Sequence, residues 1–232
     1  MEPTQFLSTI ATRLQRAVNT TEKPIKNWQH RPNTQHQVTS DDLLMTFKEQ
    51  CTQIHTDVVE ATCATLQQQV VQVIKKYGGP LSVWDDARFE TYGLTPLLTQ
   101  TLPQSNFNVY TWSNEKTREQ NIAEANQSRV GLVFSEYALA ETGTVVLYSA
   151  DGAGKAVGLL PHAFVAIIPK SSLLPCMTQL SQRLQQRVEA GELLPHAIDY
   201  VSGPSNSADI EMKLVVGVHG PVEATYIVLT DC

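Results

Sequence analysis

The sequence predicts a layered α/β domain in which at least some strands pair in parallel. Three observations lead there. From Pro80 onward, short apolar strands alternate with helical stretches, the pattern of β–α–β units. Residues 163–168 form an almost unbroken apolar run, as a central strand covered on both faces requires. The chain has 232 residues, 42% of them hydrophobic, enough to bury a sizeable core.

The elements follow in order. Residues 3–18 space Phe6, Ile10, Leu14 and Val18 four apart, which predicts an amphipathic helix. Residues 20–40 are polar, carry Pro24 and Pro32, and read as a connector with Trp28 as its anchor. Residues 41–77 predict one long helix, capped by Ser40 or Asp41, with apolar Leu44, Phe47, Cys51, Ile54, Val58, Ala61 and Leu66. Gly78-Gly79-Pro80 ends it. The expected organisation is therefore a helix and connector over 1–40 and an α/β domain over 41–232. Within that domain, strands are expected at 81–84, 107–110, 129–134, 144–148, 163–168, 198–201 and 224–229, and helices at 114–126 and 172–190. Residues 207–216 admit two readings. Ser207 can cap a short helix that Gly217 terminates, the preferred expectation. Alternatively, Asp209, Glu211 and Lys213 alternate with Ile210, Met212 and Leu214 as in a strand.

Composition removes several function classes. A net charge of −6 disfavours a generic nucleic-acid surface, although backbone N–H groups can still hold a phosphate locally. No apolar stretch has the length of a membrane span, and the N-terminal residues lack a signal-peptide pattern, so the expectation is a cytoplasmic protein. Cys51, Cys63, Cys176 and Cys232 contain no Cys-x-x-Cys pair, and they read as buried or incidental thiols. The histidines show no ligand spacing. No metal is expected and no cofactor is identified.

Three polar, glycine-bearing segments interrupt the apolar runs and are the site candidates. In the first, Glu136 ends a strand and Glu141 follows with Thr142, Gly143 and Thr144. A carboxylate beside two hydroxyls and a glycine can serve as base, nucleophile or binding group, or simply form a hairpin turn facing water. In the second, Gly203, Pro204, Ser205, Asn206 and Ser207 lead to Asp209 and Glu211. This stretch suits an anion cradle of N–H and hydroxyl groups, or a well-capped turn. In the third, His219 stands between Gly217 and Gly220, placed for proton transfer or hydrogen-bonded to its own loop. Lys155 in Gly152-Ala153-Gly154-Lys155 reads as a substrate-facing lysine on a hairpin loop; no Ser or Thr follows it as in a phosphate loop.

With these residues in view the chain resembles the LUD-domain family, and within it the lactate-utilization branch. The resemblance rests on Leu139-Ala140-Glu141-Thr142-Gly143-Thr144, Leu159-Leu160-Pro161, Gly203-Pro204-Ser205 with Ala208-Asp209-Ile210-Glu211, and Gly217-Val218-His219-Gly220-Pro221, in that order, and covers about residues 40–231. It implies a mixed-sheet α/β fold of the NagB/RpiA/CoA-transferase-like type with an N-terminal helical extension. It also implies a part in oxidising L-lactate to pyruvate beside partner proteins that carry iron–sulphur or related redox centres. This chain lacks cysteines for such clusters and would be the non-cluster component. It departs from the family pattern at Asn206 and Ser207, where a basic residue and threonine are usual. Lys155 replaces an arginine, and Phe164 replaces a histidine while His162 follows Pro161.

Three functions follow from this reading. The first is a lactate-oxidising component that binds a small anionic substrate or cofactor, with Glu141 and His219 as its chemical groups. The second is an independent isomerase or CoA-transferase-like enzyme that uses Glu141. The third is a non-catalytic assembly or regulatory subunit.

Overall fold

A computed structural model describes residues 3–15, 39–210 and 213–232, with the backbone alone for 208–210. The connector expected over 20–40, with Trp28, falls outside these residues except for Thr39 and Ser40; Glu211 and the end of the 3–18 helix also fall outside. The chain divides into two units, Met1–Gln35 and His36–Cys232. Helix α1 (Pro3–Arg13) belongs to the first.

The second unit begins with α2 (Ser40–Gln53), β1 (Asp57–Ala61), α3 (Leu66–Tyr77), β2 (Leu81–Val83) and α4 (Arg88–Thr91). A π turn, Leu97–Thr101, leads into α5 (Leu102–Gln104), followed by β3 (Val109–Thr111), α6 (Arg118–Gln127), β4 (Val130–Phe134), β5 (Tyr137–Leu139) and β6 (Thr144–Tyr148). Then come α7 (Ala156–Leu159), β7 (Ala163–Pro169), β8 (Leu173–Leu174), α8 (Met177–Glu189), β9 (Ile198–Val201), β10 (Asn206–Ile210), β11 (Lys213–Val216) and β12 (Glu223–Leu229). Among the described residues, no helix is long and apolar enough to cross a membrane.

Six strands, all parallel, form the main sheet in the order β1–β12–β7–β4–β2–β3. Successive side chains along a strand point to opposite faces. Leu132, Phe134, Val165, Ile167, Ile227 and Leu229 therefore enter one core, closed by Val70 and Ile74 of α3. Val133, Phe164, Ala166, Ile168, Tyr226 and Val228 enter the other, closed by Phe47 of α2 and by Val145 and Leu147 of a second sheet. That sheet, β8–β5–β6–β9, mixes parallel and antiparallel pairs. A smaller cluster, Leu139, Val146 and Leu174, packs with Leu180 of α8. The result is a layered α/β body.

Two expectations are corrected. Residues 41–77 are not one helix but α2, β1 and α3. Ile54, Val58 and Ala61 keep a helical spacing, yet Val58 and Val59 are β-branched, and β1 docks as an edge strand on β12. His55 makes the break at a positive φ of 55°. The cap of α2 is neither Ser40 nor Asp41 but Thr39, whose hydroxyl accepts from Asp42 N–H at 3.1 Å while Asp42 accepts from Thr39 N–H at 3.2 Å. Likewise, the helix preferred over 207–216 is an antiparallel pair, with Asn206 opposite Val216 and Ser207 opposite Val215. Period-two alternation and the paired valines outweigh the capping signal of Ser207.

One feature of the topology positions a site. From β2 the chain moves outward to β3, whereas from β4 it moves the other way to β7, although β2 and β4 are hydrogen-bonded neighbours. Connections that diverge from adjacent parallel strands leave a crevice at their C-terminal ends.

Candidate functional site

A cleft of about 530 Å³ occupies that crevice. Asp86 and Arg88 reach it from the segment after β2, Glu136 from the segment after β4, and Tyr148 and Ser149 from the end of β6. One wall is the loop before α7, fastened to the end of β2. Trp84 Nε1 donates to the Gly154 carbonyl at 2.9 Å, and Asp85 N–H donates to the Gly152 carbonyl at 3.0 Å. Gly154 is required by this approach, since a Cβ would lie 2.2 Å from the Trp112 ring.

Arg88 organises the carboxylates. Its Nε donates to Asp86 Oδ1 at 3.0 Å and its Nη2 to Asp86 Oδ2 at 2.6 Å; Nη2 also meets Glu136 Oε1 at 2.8 Å. Nη1 donates to the Ser135 carbonyl at 3.2 Å, and the guanidinium lies 5.2 Å from the Phe134 ring centre. Burial alone would lower the Arg88 pKa. The hydrogen bonds to Asp86 and the charges of Glu136 and Asp86 outweigh it, and the net shift is upward. The guanidinium is thus a fixed brace between two acids, and the triad carries a net negative charge.

Two hydroxyl groups in the wall of the cleft are shielded from solvent. Tyr148 Oη and Ser149 Oγ make no hydrogen bond of good geometry among the described residues, and the Arg187 guanidinium is the polar neighbour of the Tyr148 phenol. The Arg187 guanidinium lies 5.5 Å from the centre of the Tyr148 ring and is held by Glu192 at 2.6 Å. Burial, then the neighbouring Tyr137, push the Tyr148 phenol pKa upward, so it is a protonated donor at neutral pH. A buried hydroxyl left without a partner costs about 1–3 kcal/mol, which a ligand atom or an ordered water recovers. The lining includes Asp85, Asp86, Glu136 and Asp151 against Arg88 and Arg187, so it is acidic on balance. Such a site favours ligands that bring hydrogen-bond donors over simple anions.

Of the residues singled out in the sequence, Glu136 lines this cleft. Glu141, Thr142, Gly143 and Thr144 lie at the other end of β5, in the turn to β6, where the Glu141 side chain is exposed. Gly143, at a φ of 63°, lets the turn press on α2, since a Cβ would come 2.9 Å from Ile54 Cδ1. Thr142 and Thr144 hydroxyls hydrogen-bond at 2.7 Å, and Thr144 bonds the Ser202 hydroxyl at 2.7 Å. The first and second segments therefore meet. Gly203 N–H continues the chain of contacts to the buried Tyr226 hydroxyl at 3.0 Å.

The second and third segments also meet. Ser205 Oγ accepts from His219 N–H at 3.2 Å, Ser205 N–H donates to the Pro221 carbonyl at 2.8 Å, and Gly220 packs on Ser205. The Ser205 hydroxyl thus serves its own loop, while the His219 side chain is exposed. Pro204 is buried, and its carbonyl accepts from Asn206 Nδ2 at 3.2 Å; Asn206, Ser207 and the backbone of Asp209 belong to β10. This group lies beside the N-terminal ends of β7 and β12, where the His162 carbonyl accepts from Val222 N–H at 2.8 Å. Glu136 stands at the C-terminal end of β4, so it and His219 belong to opposite ends of the parallel sheet. Lys155 precedes α7 and pairs with Asp199 at 2.6 Å. Phe164 is a core residue, packed edge-on against Tyr226 at 6.3 Å, and His162 faces Glu223 at 3.4 Å.

Asp86, Arg88, Tyr148 and Ser149 were not singled out in the sequence. The signal for the first two was the pair Asp85-Asp86 directly after an expected strand. Cys63 is also corrected: it lies exposed in the turn between β1 and α3, in contact with Cys232, and not in a helix.

Comparison with known proteins adds the following. The LUD domain family model matches residues 44–229. "Lactate utilization protein C" of Geobacillus sp. (strain WCH70) is 47% identical over 230 residues, covering 98% of this chain and 95% of that protein. The protein of the same name from Bacillus subtilis (strain 168) is 44% identical over 229 residues, covering 97% and 95%. Among solved structures, a duf162 family protein from Deinococcus radiodurans matches with a TM-score of 0.57 and 16% identity, over 83% of this chain and 99% of that one. That likeness is one of fold.

Proposed function

The chain belongs to the LUD-domain family, and on that premise we propose that it acts in lactate utilization as the component without iron–sulphur clusters. In this reading it works in the cytoplasm and binds a small hydroxylated carboxylate, or a cofactor, in the cleft beyond β2 and β4. Near-full-length identity to proteins named for lactate utilization supports the role. The observation that carries the ligand site is the Asp86–Arg88–Glu136 cluster in the cleft, with Tyr148 and Ser149 in the wall beside it. In this reading ligand entry uncovers the Tyr148 and Ser149 hydroxyls, which donate to the ligand carboxylate, and Asp86 and Glu136 accept from its hydroxyl. Both ends of a 2-hydroxy acid then find partners, which the acidic lining alone would not provide. Conversion of lactate to pyruvate removes two electrons and two protons. None of these side chains takes electrons, so partner proteins with iron–sulphur centres, or a cofactor, receive them.

The test is reconstitution. The purified chain alone gives little or no lactate oxidation, and activity appears when partner proteins are added. Full activity from the isolated, cofactor-free chain defeats the proposal. A second reading rests on the exposed Glu141 beside the Thr142–Thr144–Ser202 hydroxyl chain. There Glu141 is the base or nucleophile of an isomerase or CoA-transferase-like reaction, with Gly143, Gly203, Ser205, His219 and Gly220 shaping the surrounding loops. A stable mass increase on Glu141 after incubation with acyl-CoA supports it, and the absence of any adduct across a thioester panel counts against it.

A further inference from the structure

Two thiols that the sequence separates by 169 positions meet at the C-terminal edge of the main sheet, their Sγ atoms 2.6 Å apart. Cys63 is exposed in the turn between β1 and α3, and Cys232, which follows β12, is half-buried. Backbone contacts anchor both sides. Cys63 N–H donates to both oxygens of the Asp231 carboxylate, at 2.9 and 3.0 Å. Thr230 N–H donates to the Ala61 carbonyl at 2.8 Å, and Ser171 N–H to the Cys232 carbonyl at 3.0 Å. The meeting is therefore built into the fold rather than produced by two free side chains.

Two occupants of this pair can be weighed by distance. The ligand atoms of Cys63, Asp231 and Cys232 lie within 4.8 Å of one another, which admits a metal ion in principle. Tetrahedral zinc with bonds of about 2.3 Å holds its sulfurs roughly 3.7 Å apart, so the two sulfurs would have to separate by about 1 Å. A covalent S–S bond of about 2.05 Å asks for roughly half that movement, in the opposite direction. The Asp231 carboxylate, moreover, is already engaged by Cys63 N–H. We propose that Cys63 and Cys232 are a reversible disulfide, a redox-sensitive modification site that ties the end of β12 to the β1–α3 turn.

The step balances with a low-molecular-weight disulfide, such as oxidised glutathione, as oxidant. The thiolate of one cysteine of the pair attacks one sulfur of the oxidant, and the first glutathione thiolate leaves. The other cysteine then loses its proton to solvent and attacks the sulfur of the first, and the second glutathione thiolate leaves. Two cysteine thiols are oxidised by two electrons while one disulfide is reduced to two thiols. The hydrogen bond with Cys232, then burial, then Asp231 push the Cys63 thiol pKa upward. In a reducing compartment such a bond is transient and reports oxidising conditions. The pair also adjoins Tyr92, whose ring stacks at 5.4 Å on Phe134, the ring that Arg88 covers in the cleft.

The experiment treats the full-length protein with oxidised glutathione, alkylates the remaining thiols with iodoacetamide, and maps peptides without reductant. One cross-linked pair, Cys63 with Cys232, is expected about 2 Da below the summed peptide masses. It is reversed by dithiothreitol, while Cys51 and Cys176 are found alkylated. In Cys63→Ser, the linked pair disappears and Cys232 retains glutathione. Alkylation of both Cys63 and Cys232 in the oxidised wild-type sample overturns the proposal, as does a stable glutathione adduct on either one. So does stoichiometric retention of zinc, added as the chloride, that survives desalting of wild type and is lost in Cys63→Ser.

Discussion

Arg88 is the side chain on which the cleft depends, because it spans two segments that only the sheet brings together. Replacement by methionine leaves Asp86 and Glu136 facing one another without a counter-charge. The expected cost is about 1–3 kcal/mol in urea unfolding, less than for a fully buried pair, because Arg88 and Glu136 side chains are 29% and 33% exposed. Arg88→Lys does not restore the site, since an ammonium cannot reproduce the planar fork that holds Asp86 at two atoms and Glu136 at a third. Tyr148→Phe separates binding from folding. Its hydroxyl makes no hydrogen bond of good geometry among the described residues and has Arg187 as a polar neighbour, so stability should stay within about 1 kcal/mol of wild type. Ligand-dependent activity should nevertheless fall, on the order of 10-fold. A large loss of stability would mean that the hydroxyl has a structural partner. At this scale, sequence reading singled out Glu136, which lines the cleft, but not Arg88 or Tyr148. A carboxylate after a strand is visible in one dimension, whereas an arginine five residues beyond another strand acquires meaning only once β2 and β4 are known to be neighbours.

At the scale of elements, packing of the layers makes sharper predictions. Gly131 in β4 faces α7 so closely that a Cβ would lie 1.9 Å from the Val157 carbonyl oxygen. Gly131→Ala should therefore cost about 2–3 kcal/mol through displacement of backbone, with a reduced urea midpoint. Helix α2 carries Cys51 into the core, where burial pushes its thiol pKa from 9.0 up to about 12. The unfolded chain releases this proton above pH 9 and the folded chain keeps it. The contribution to stability is thus complete below pH 9 and declines as the pH rises toward 12, by at most about 1.4 kcal/mol per pH unit. The buried Tyr226 phenol, also raised by burial, acts with the same sign at higher pH. Cys51→Ala should flatten the part of the decline that begins near pH 9, as read from urea midpoints in that range. The elements also show which signals misled. The four- and three-residue spacings of Ile54, Val58 and Ala61 continue the apolar stripe of α2, and nothing local says that Val58 and Val59 will dock beside β12, a strand more than 160 positions away. In 206–216, a good helix cap competed with strand alternation, and pairing decided the outcome. The strands dominated by apolar residues, β4, β7 and β12, were legible because burial on both faces leaves little room for another pattern.

At the scale of the whole molecule, the three polar segments are real structural features, but they serve a longer surface than a single pocket. The Thr142–Thr144–Ser202 hydroxyls join the first segment to the second, and Ser205 with His219 joins the second to the third. These contacts hold the loops that flank α2 and the start of β12. The crevice created by the divergence of β2 and β4 lies at the opposite end of the parallel sheet and was hidden from sequence reading, because strand order is not written in any local pattern. In the proposed function that crevice is the place where the ligand binds. Its most direct test is L-lactate oxidation by the assembly reconstituted with partner proteins, comparing wild type with Glu136→Gln and Glu141→Gln in this chain, with assembly checked by size-exclusion chromatography. A drop of about 10-fold or more for Glu136→Gln, in an intact assembly, is the predicted result. A wild-type rate for Glu136→Gln, with activity lost in Glu141→Gln, would contradict it and move the site to the β5–β6 turn.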